Sequence, residues 1–455
     1  MFKKNNFFVI YIKTCRGKVL YKIPNLVYAN EKGEIFDHPE LKMAVRSGPY
    51  DFIPYETELI RFPKSSRLYF MPHTHPIAYD ENKANMIEFK EGYAVSVFLS
   101  PGFLRLYLPA YRKTKDYTMP LFAYTAVGYL DGHFVVPAIQ VDNISKWDPE
   151  NYDFSCNFDK QVDEFIKNSP ENRLYNQLRK CATEYHCTAA KNVFYPRWEC
   201  PIPTSPACNS ACVGCISLQV SECCPSPQDR ITFAPTAEEI AEVALRHGER
   251  AKDPLISFGQ GCEGDPCLAA DNIAKAVKII KRENPNLTVN FNSNCSIPDN
   301  VAKVIEAGVD SVRVSLNSVI ESTYNAYYRP RTYKFQDVVK SVELIKQAGI
   351  FLQLNLLTFP GVNDRASETS ALLDFVENHK VDLIQMRNLN IDAELLLSNL
   401  QLKPDEIHGI KNMMKLIKKR RPEIQFGYFN RMKKDFHTPS GFPDLRPPKK
   451  GKSHI

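Results

Sequence analysis

Cys208, Cys212 and Cys215 stand at a C-x3-C-x2-C spacing, on a segment whose Asn209, Ser210 and Gly214 make it a loop rather than a packed element. Three thiolates so spaced can hold three irons of a [4Fe-4S] cluster and leave the fourth iron open to another ligand. Soft thiolates select iron-sulfur clusters or zinc, and structural zinc here would take its fourth ligand from Cys223, Cys224 or Cys200. The chain has 13 cysteines, most of them between Cys181 and Cys267, which is uneven for a disulfide scaffold. Clustered thiols in a reducing compartment favour metal or cluster ligation.

The elements that must position this loop follow it as a repeat of strand and helix. Apolar runs at 255–258, 287–291, 311–316, 351–356 and 383–386 read as strands. Ile273, Val277 and Ile280, and later Phe335, Val338, Val342 and Ile345, recur at helical spacing between them. Thr236 with Glu239 is a capping box for a helix running to about Arg246 and stopping at Gly248. Pro404 opens a further helix with Ile407, Ile410 and Ile417 inward. Such alternation implies an α/β fold with a parallel sheet and right-handed crossovers. A partial (β/α)6-type barrel is the expected form; a doubly wound sheet also fits the periodicity.

Sheets of this kind gather their ligands at the C-terminal ends of the strands. There the chain places Gly261, Glu263, Gly264 and Asp265, then Asn292 and Asn294, Ser315 and Asn317, Asn355, and Arg387 with Asn388. The glycines let backbone come close to a ligand. Pro360-Gly361-Val362-Asn363-Asp364 is turn-forming on any reading.

Residues 1–165 read as a β-rich domain with candidate strands at 67–72, 93–99, 103–108 and 134–139 and a turn at Asp131-Gly132. A substrate-binding or lid role is expected of it. Residues 166–207 form a cysteine-containing bridge, stiffened by three prolines at 201–206; 208–430 form the β/α unit; 431–455 form a basic, largely disordered tail. His73 and His75 stand two apart and would share one face of an extended strand, but no third ligand accompanies them.

The cysteine loop, in its spacing and its place before a β/α repeat, resembles the cluster motif of the radical S-adenosylmethionine (SAM) superfamily. The resemblance covers about 208–390. It implies that Cys208, Cys212 and Cys215 ligate the cluster and that SAM chelates the open iron through its amino and carboxylate groups. One-electron cleavage then gives methionine and a 5′-deoxyadenosyl radical that abstracts hydrogen from a substrate. Gly264-Asp265-Pro266 looks like the family's Gly-Glu-Pro segment, with Asp265 or Glu263 as acceptor for the SAM ammonium. The polar strand ends would meet the rest of SAM. The family often has an aromatic residue just before the third cysteine, where this chain has Gly214.

Cys181, Cys187 and Cys200, with Cys223 or Cys224, can make an auxiliary iron-sulfur site, for which zinc with His186 is the nearest rival. Cys262 and Cys267 flank the glycine-rich turn and are candidates to ligate a second cluster, to donate hydrogen to a substrate radical, or simply to fill apolar space. Auxiliary clusters point to a peptide or protein substrate, with RNA or a small metabolite as alternatives and a low-potential ferredoxin or flavodoxin as electron donor. The reaction class is oxidoreductase or transferase.

The net charge is +6, from 58 basic and 52 acidic residues, with much of the excess at 415–421 and 446–454. Charge so divided serves solubility rather than forming one dense nucleic-acid footprint. A zinc-stabilised nucleic-acid-binding protein is therefore the weaker alternative. No stretch of 18 apolar residues exists, so no membrane span is expected, and the N-terminal apolar run is interrupted at Lys13 and Arg16. A cytoplasmic protein is expected.

Overall fold

The computed structural model describes residues 21–152, 156–219 and 224–445. The first part is antiparallel. Strands Phe103–Arg105, His133–Gln140, Gly128–Leu130, Asn25–Ala29, Ile35–Met43, Thr74–Asp80 and Tyr111–Lys113 lie side by side in that order. Asp131 and Gly132 both have positive φ, 48° and 82°, and close a two-residue hairpin between Leu130 and His133. That matches the strand twist and explains why Asp-Gly marks the turn. Alternating Val27, Ala29, Val95, Val97, Val136 and Ala138 build a core of their own on one face. His73 does not share a strand with His75: its φ is 56°, it precedes strand Thr74–Asp80, and His75 pairs with Glu88.

The second part is a parallel sheet of seven strands in strict chain order: Glu199–Ile202, Leu255–Phe258, Thr288–Ser293, Ser311–Leu316, Phe351–Thr358, Leu383–Asn388 and Gln425–Gly427. Helices such as Ala270–Glu283 and Phe335–Gln347 cover it with the apolar stripes expected of them, Ile273, Val277 and Ile280 being fully buried. The first strand was expected to be a proline-stiffened bridge. Pro201 is accommodated because this is an edge strand, paired on one side only.

Six spacings of about 4.8 Å would set the outer strands of a flat sheet roughly 29 Å apart. Instead Asn430, just past the last strand, donates from Nδ2 to Glu199 Oε1 on the first strand at 2.7 Å and to Ser257 Oγ on the second at 3.1 Å. Its Oδ1 accepts from Gln385 Nε2 on the sixth at 3.0 Å. The sheet is therefore strongly curled, with polar side chains meeting inside the curve.

Three boundaries differ from expectation. The capped helix runs through Gly248 to Arg250, with the Thr236–Glu239 box formed as expected. The helix expected from Pro404 begins at Ile410, because the backbone of Glu406 and His408 bonds to Ala366 and Asp364 instead. The expected disordered tail does not begin at 431: Phe436 stacks on Phe351 at 4.2 Å, and Lys433 and Lys434 pair with Asp310 and Asp253. Residues 446–455 lie outside the described residues.

The antiparallel part sits on the C-terminal edge of the parallel sheet. Arg105, 1% exposed, donates its backbone N–H to Asn388 Oδ1 at 3.0 Å, Nη1 to Asn390 Oδ1 at 3.0 Å and Nη2 to the Leu389 carbonyl. Lys113 Nζ meets Asp392 Oδ2 at 2.6 Å. Gly361 (φ 82°) needs its missing side chain, since a Cβ would fall 2.0 Å from the Gly48 nitrogen across this junction.

Candidate active site

A cavity of about 630 Å³ lies between the two parts. Cys208, Cys212 and Cys215 form one wall, Ser315, Asn355, Arg313 and Arg387 rise from the strands, and Pro101, Leu121 and Trp147 of the antiparallel part line its mouth.

The cysteine loop is held from below by its own backbone. Ala211 N–H donates to Tyr328 O and Val213 N–H to Tyr327 O, both at 3.0 Å, and Arg331 N–H donates to Asn209 O at 2.9 Å. Asn294 Nδ2 donates to Asn209 Oδ1 at 2.9 Å, while Asn209 Nδ2 donates to Ser296 Oγ at 2.8 Å. Ser210 and Tyr333 hydroxyls bond at 2.8 Å. With the loop's polar groups so engaged, the three partly exposed thiols are left facing the cavity. Burial pushes the Cys208 thiol up to about 11 and Cys212 well above its ordinary value. Arg230 is the guanidinium at this loop, its Nη2 lying 3.5 Å from Cys215 Sγ.

Among the described residues, no three His, Cys, Asp or Glu side chains converge on a single-ion position. The loop itself supplies three thiolates, the number that a [4Fe-4S] cluster with one open iron takes.

The Gly261–Asp265 segment packs directly on the loop's entry: a Cβ on Gly264 would fall 1.9 Å from the Ala207 oxygen. Glu263 accepts four hydrogen bonds. Its Oε2 accepts from Thr204 N (2.7 Å), Ser205 N (2.9 Å) and Thr204 Oγ1 (3.0 Å), and its Oε1 from Gln260 N (2.6 Å). Asp265 accepts from Ser293 Oγ (2.6 Å) and Cys267 N (2.9 Å) on Oδ1 and from Asn294 N (2.8 Å) on Oδ2. Each carboxylate oxygen has two lone pairs, so Asp265 Oδ2 and Glu263 Oε1 each keep one open site, and Glu263 is the more heavily engaged of the two.

A family model of the radical SAM superfamily matches residues 202–373, from the first parallel strand through the fifth and into the helix after it. This segment belongs to the radical SAM superfamily. Over 177 residues the chain is 23% identical to the FeMo cofactor biosynthesis protein NifB of Klebsiella pneumoniae, a match covering 36% of this chain and 37% of that protein. The chain thus spans little more than a third of the curated relative it matches. Among solved structures it is similar to methylornithine synthase (PylB), at 17% identity and TM-score 0.36 over 61% of this chain and 76% of that one. It is also similar to Streptococcus suis SuiB bound to S-adenosylmethionine, at 12% identity and TM-score 0.37 over 69% of this chain and 72% of that one. Radical SAM membership implies a [4Fe-4S] cluster and SAM.

Within this radical SAM fold the expected SAM-contacting residues divide. Gly261, Glu263, Gly264, Asp265, Asn294, Ser315, Asn355 and Arg387 line the cavity. Asn292 does not: its Nδ2 donates to Ser257 Oγ at 3.0 Å and to Phe258 O, tying the second and third strands. Asn317 is turned away, donating to Thr323 O at 3.2 Å. Sequence reading passed over Arg313, which lies two residues before Ser315 and so on the same strand face. It also passed over Arg230, Tyr327 and Tyr428, which reach the cavity through tertiary contact.

The additional cysteines regroup. The Cys262 thiol hydrogen-bonds Cys181, which favours thiolate at Cys181 and holds Cys262 protonated, and Cys187 is close enough to act on both. Cys187 also lines the cavity. Cys200 is elsewhere, fully buried on the first strand near Tyr175, its thiol pushed upward by burial. Cys224 is buried near Tyr124, and Cys223 lies outside the described residues. Cys262 and Cys267 do not line the cavity; Cys267 is fully buried and directs its thiol at Ile297 O, 3.7 Å away. No helix among the described residues is long and apolar enough to cross a membrane.

Proposed function

We propose that Cys208, Cys212 and Cys215 ligate three irons of the [4Fe-4S] cluster and that SAM lies across the cavity floor toward Asp265 and the strand ends. The observation that carries this reading is the orientation of three thiols into one cavity with Gly261–Asp265 packed on their loop. When bound, the cluster supplies the electron that cleaves SAM reductively, so that a 5′-deoxyadenosyl radical abstracts hydrogen from substrate. Asn294 and Tyr333 hold the loop, and Asp265 offers its remaining lone pair to the SAM ammonium.

The curled sheet is a partial β/α barrel on this reading, and the antiparallel domain is its lid. Pro101, Leu121 and Trp147 at the mouth, with Arg105 as the anchor, support that role. The cavity volume of about 630 Å³ is in the range of small-molecule sites, roughly 300–1,000 Å³. Because the cluster and SAM share that volume on this reading, the remainder suits a small metabolite or a single side chain of a peptide or protein substrate. An auxiliary cluster, if the chain carries one, draws on Cys181, Cys187 and Cys262 rather than Cys200. A low-potential ferredoxin or flavodoxin in the cytoplasm supplies the electron. Anaerobic reconstitution with iron and sulfide, followed by SAM and dithionite, tests the reading: 5′-deoxyadenosine is expected, and its absence from protein with an intact cluster would overturn it.

A further inference from the structure

The strands carry two guanidiniums and one carboxylate, Glu199, to the cavity. Arg313 on the fourth strand and Arg387 on the sixth both line it. They donate to the same atom, Gln385 Oε1, Arg313 through Nη1 at 2.5 Å and Arg387 through Nη2 at 2.9 Å. Both Nε atoms are buried without a partner. The carboxylate that acts on Arg313 is Glu199, but its Oε1 accepts from the Asn430 amide. Asn355 Oδ1, on the strand between them, is likewise buried and unpartnered. Arg387 lies over the Tyr428 ring at 4.1 Å, which orients its plane without cancelling its charge.

Two half-buried guanidiniums that share one neutral acceptor, with one carboxylate acting on Arg313, keep a net positive charge that an anion completes. Paired guanidiniums match the planar oxygens of a carboxylate or the oxygens of a phosphate. We propose that Arg313 and Arg387 bind the anionic group of the substrate, a carboxylate or phosphate, and make this site selective for small anionic molecules whose apolar body rests on Trp147, Phe429 and Leu121. The proposal deepens the reading above and rests on it for the word substrate. SAM's own carboxylate is assigned elsewhere: on that reading it belongs at the open iron over the cysteine loop, where the adjacent guanidinium is Arg230.

The test is isothermal titration of the reconstituted full-length protein, saturated with SAM, with three probes sharing one apolar body: phenylacetate, phenyl phosphate and the neutral phenylacetamide. At least one anion is expected to bind about tenfold or more tightly than the amide, since a buried charge is left unpaired by the neutral probe. Comparing the two anions identifies carboxylate or phosphate as the preferred group. Arg387→Gln is expected to bring acid and amide within about twofold of each other, and Arg387→Lys to retain part of the preference. Equal binding of both anions and amide to the wild type overturns the proposal. So does anion binding that appears without SAM and vanishes when SAM is added, because the arginines then serve SAM. Persistent anion preference in a protein that forms no 5′-deoxyadenosine supports the anion site while contradicting the proposed reaction, so the two failures are distinct.

Discussion

Tyr327 fills the space beside Gly214: its hydroxyl oxygen lies 2.9 Å from the point a Cβ on Gly214 would occupy. The aromatic side chain that the family often carries before its third cysteine is thus supplied from helix Glu321–Tyr328, and the loop has no room for a second. Gly214→Phe is expected to lower stability by about 1–3 kcal/mol through overpacking and to reduce the iron retained after reconstitution. Tyr327→Ala in the same chain should restore part of both losses. Thermal melts and iron analysis on the two variants check this; additive losses would show that the residues do not compete for one space.

Asp364, at the junction of the two parts, accepts from Gly361 N–H at 2.6 Å on one oxygen and leaves the other buried and unpartnered. Burial pushes this carboxyl from 3.8 up to about 7. The folded state then holds a proton that the unfolded chain releases, so this contribution is whole below about pH 3.8 and is lost as pH rises through about 7. Asp364→Asn keeps the shape and removes the charge. Its melting temperature relative to wild type should rise from pH 6 to pH 8, by differential scanning fluorimetry; a difference independent of pH contradicts the assignment.

Arg105 joins the lid to the sheet while buried, its charge disfavoured enough to bring the guanidinium down to about 9. Arg105→Ala keeps the backbone N–H that reaches Asn388 but leaves Asn390 Oδ1 and the Leu389 carbonyl short of partners, a loss of about 1–3 kcal/mol for each buried acceptor. Faster hydrogen exchange at Phe103–Arg105 and Leu383–Asn388 is the expected readout. Unchanged exchange would mean that Lys113–Asp392 alone holds the junction.

Cys200 and Cys181 make opposite predictions although the chain sets them close together. Cys200→Ala should leave iron stoichiometry unchanged and cost about 1 kcal/mol or somewhat more in packing. If an auxiliary cluster forms, Cys181→Ala or Cys262→Ala should lower iron by that cluster's content while Cys208, Cys212 and Cys215 keep theirs. Iron and sulfide analysis with Mössbauer spectra separates these outcomes.

What could be read along the chain was whatever is local. Cys208, Cys212 and Cys215 lie within one loop, so their spacing carries their geometry; the Thr236–Glu239 box and the Asp131-Gly132 turn are likewise short-range. The cavity's cations were hidden because Arg313 sits in an apolar run, and only the curl of the sheet turns it toward Arg387. Cys262 meets Cys181 across 81 residues, a pairing no spacing reveals, whereas Cys200 looked like their partner but lies on a strand disguised by Pro201. Glu263 and Asp265 were interchangeable as letters. Only the folded chain shows that Glu263 already accepts four hydrogen bonds and Asp265 three.

If the three loop cysteines make this a SAM-cleaving enzyme, removing one of them must abolish cleavage. The most direct measurement is 5′-deoxyadenosine formed from SAM and dithionite by anaerobically reconstituted wild type beside Cys212→Ala. Wild type should show an S = 1/2 signal on reduction that changes when SAM is added, and should form 5′-deoxyadenosine; Cys212→Ala should lose both. A wild-type protein that holds its cluster yet leaves SAM intact, or a Cys212→Ala variant that still cleaves it, would contradict the account.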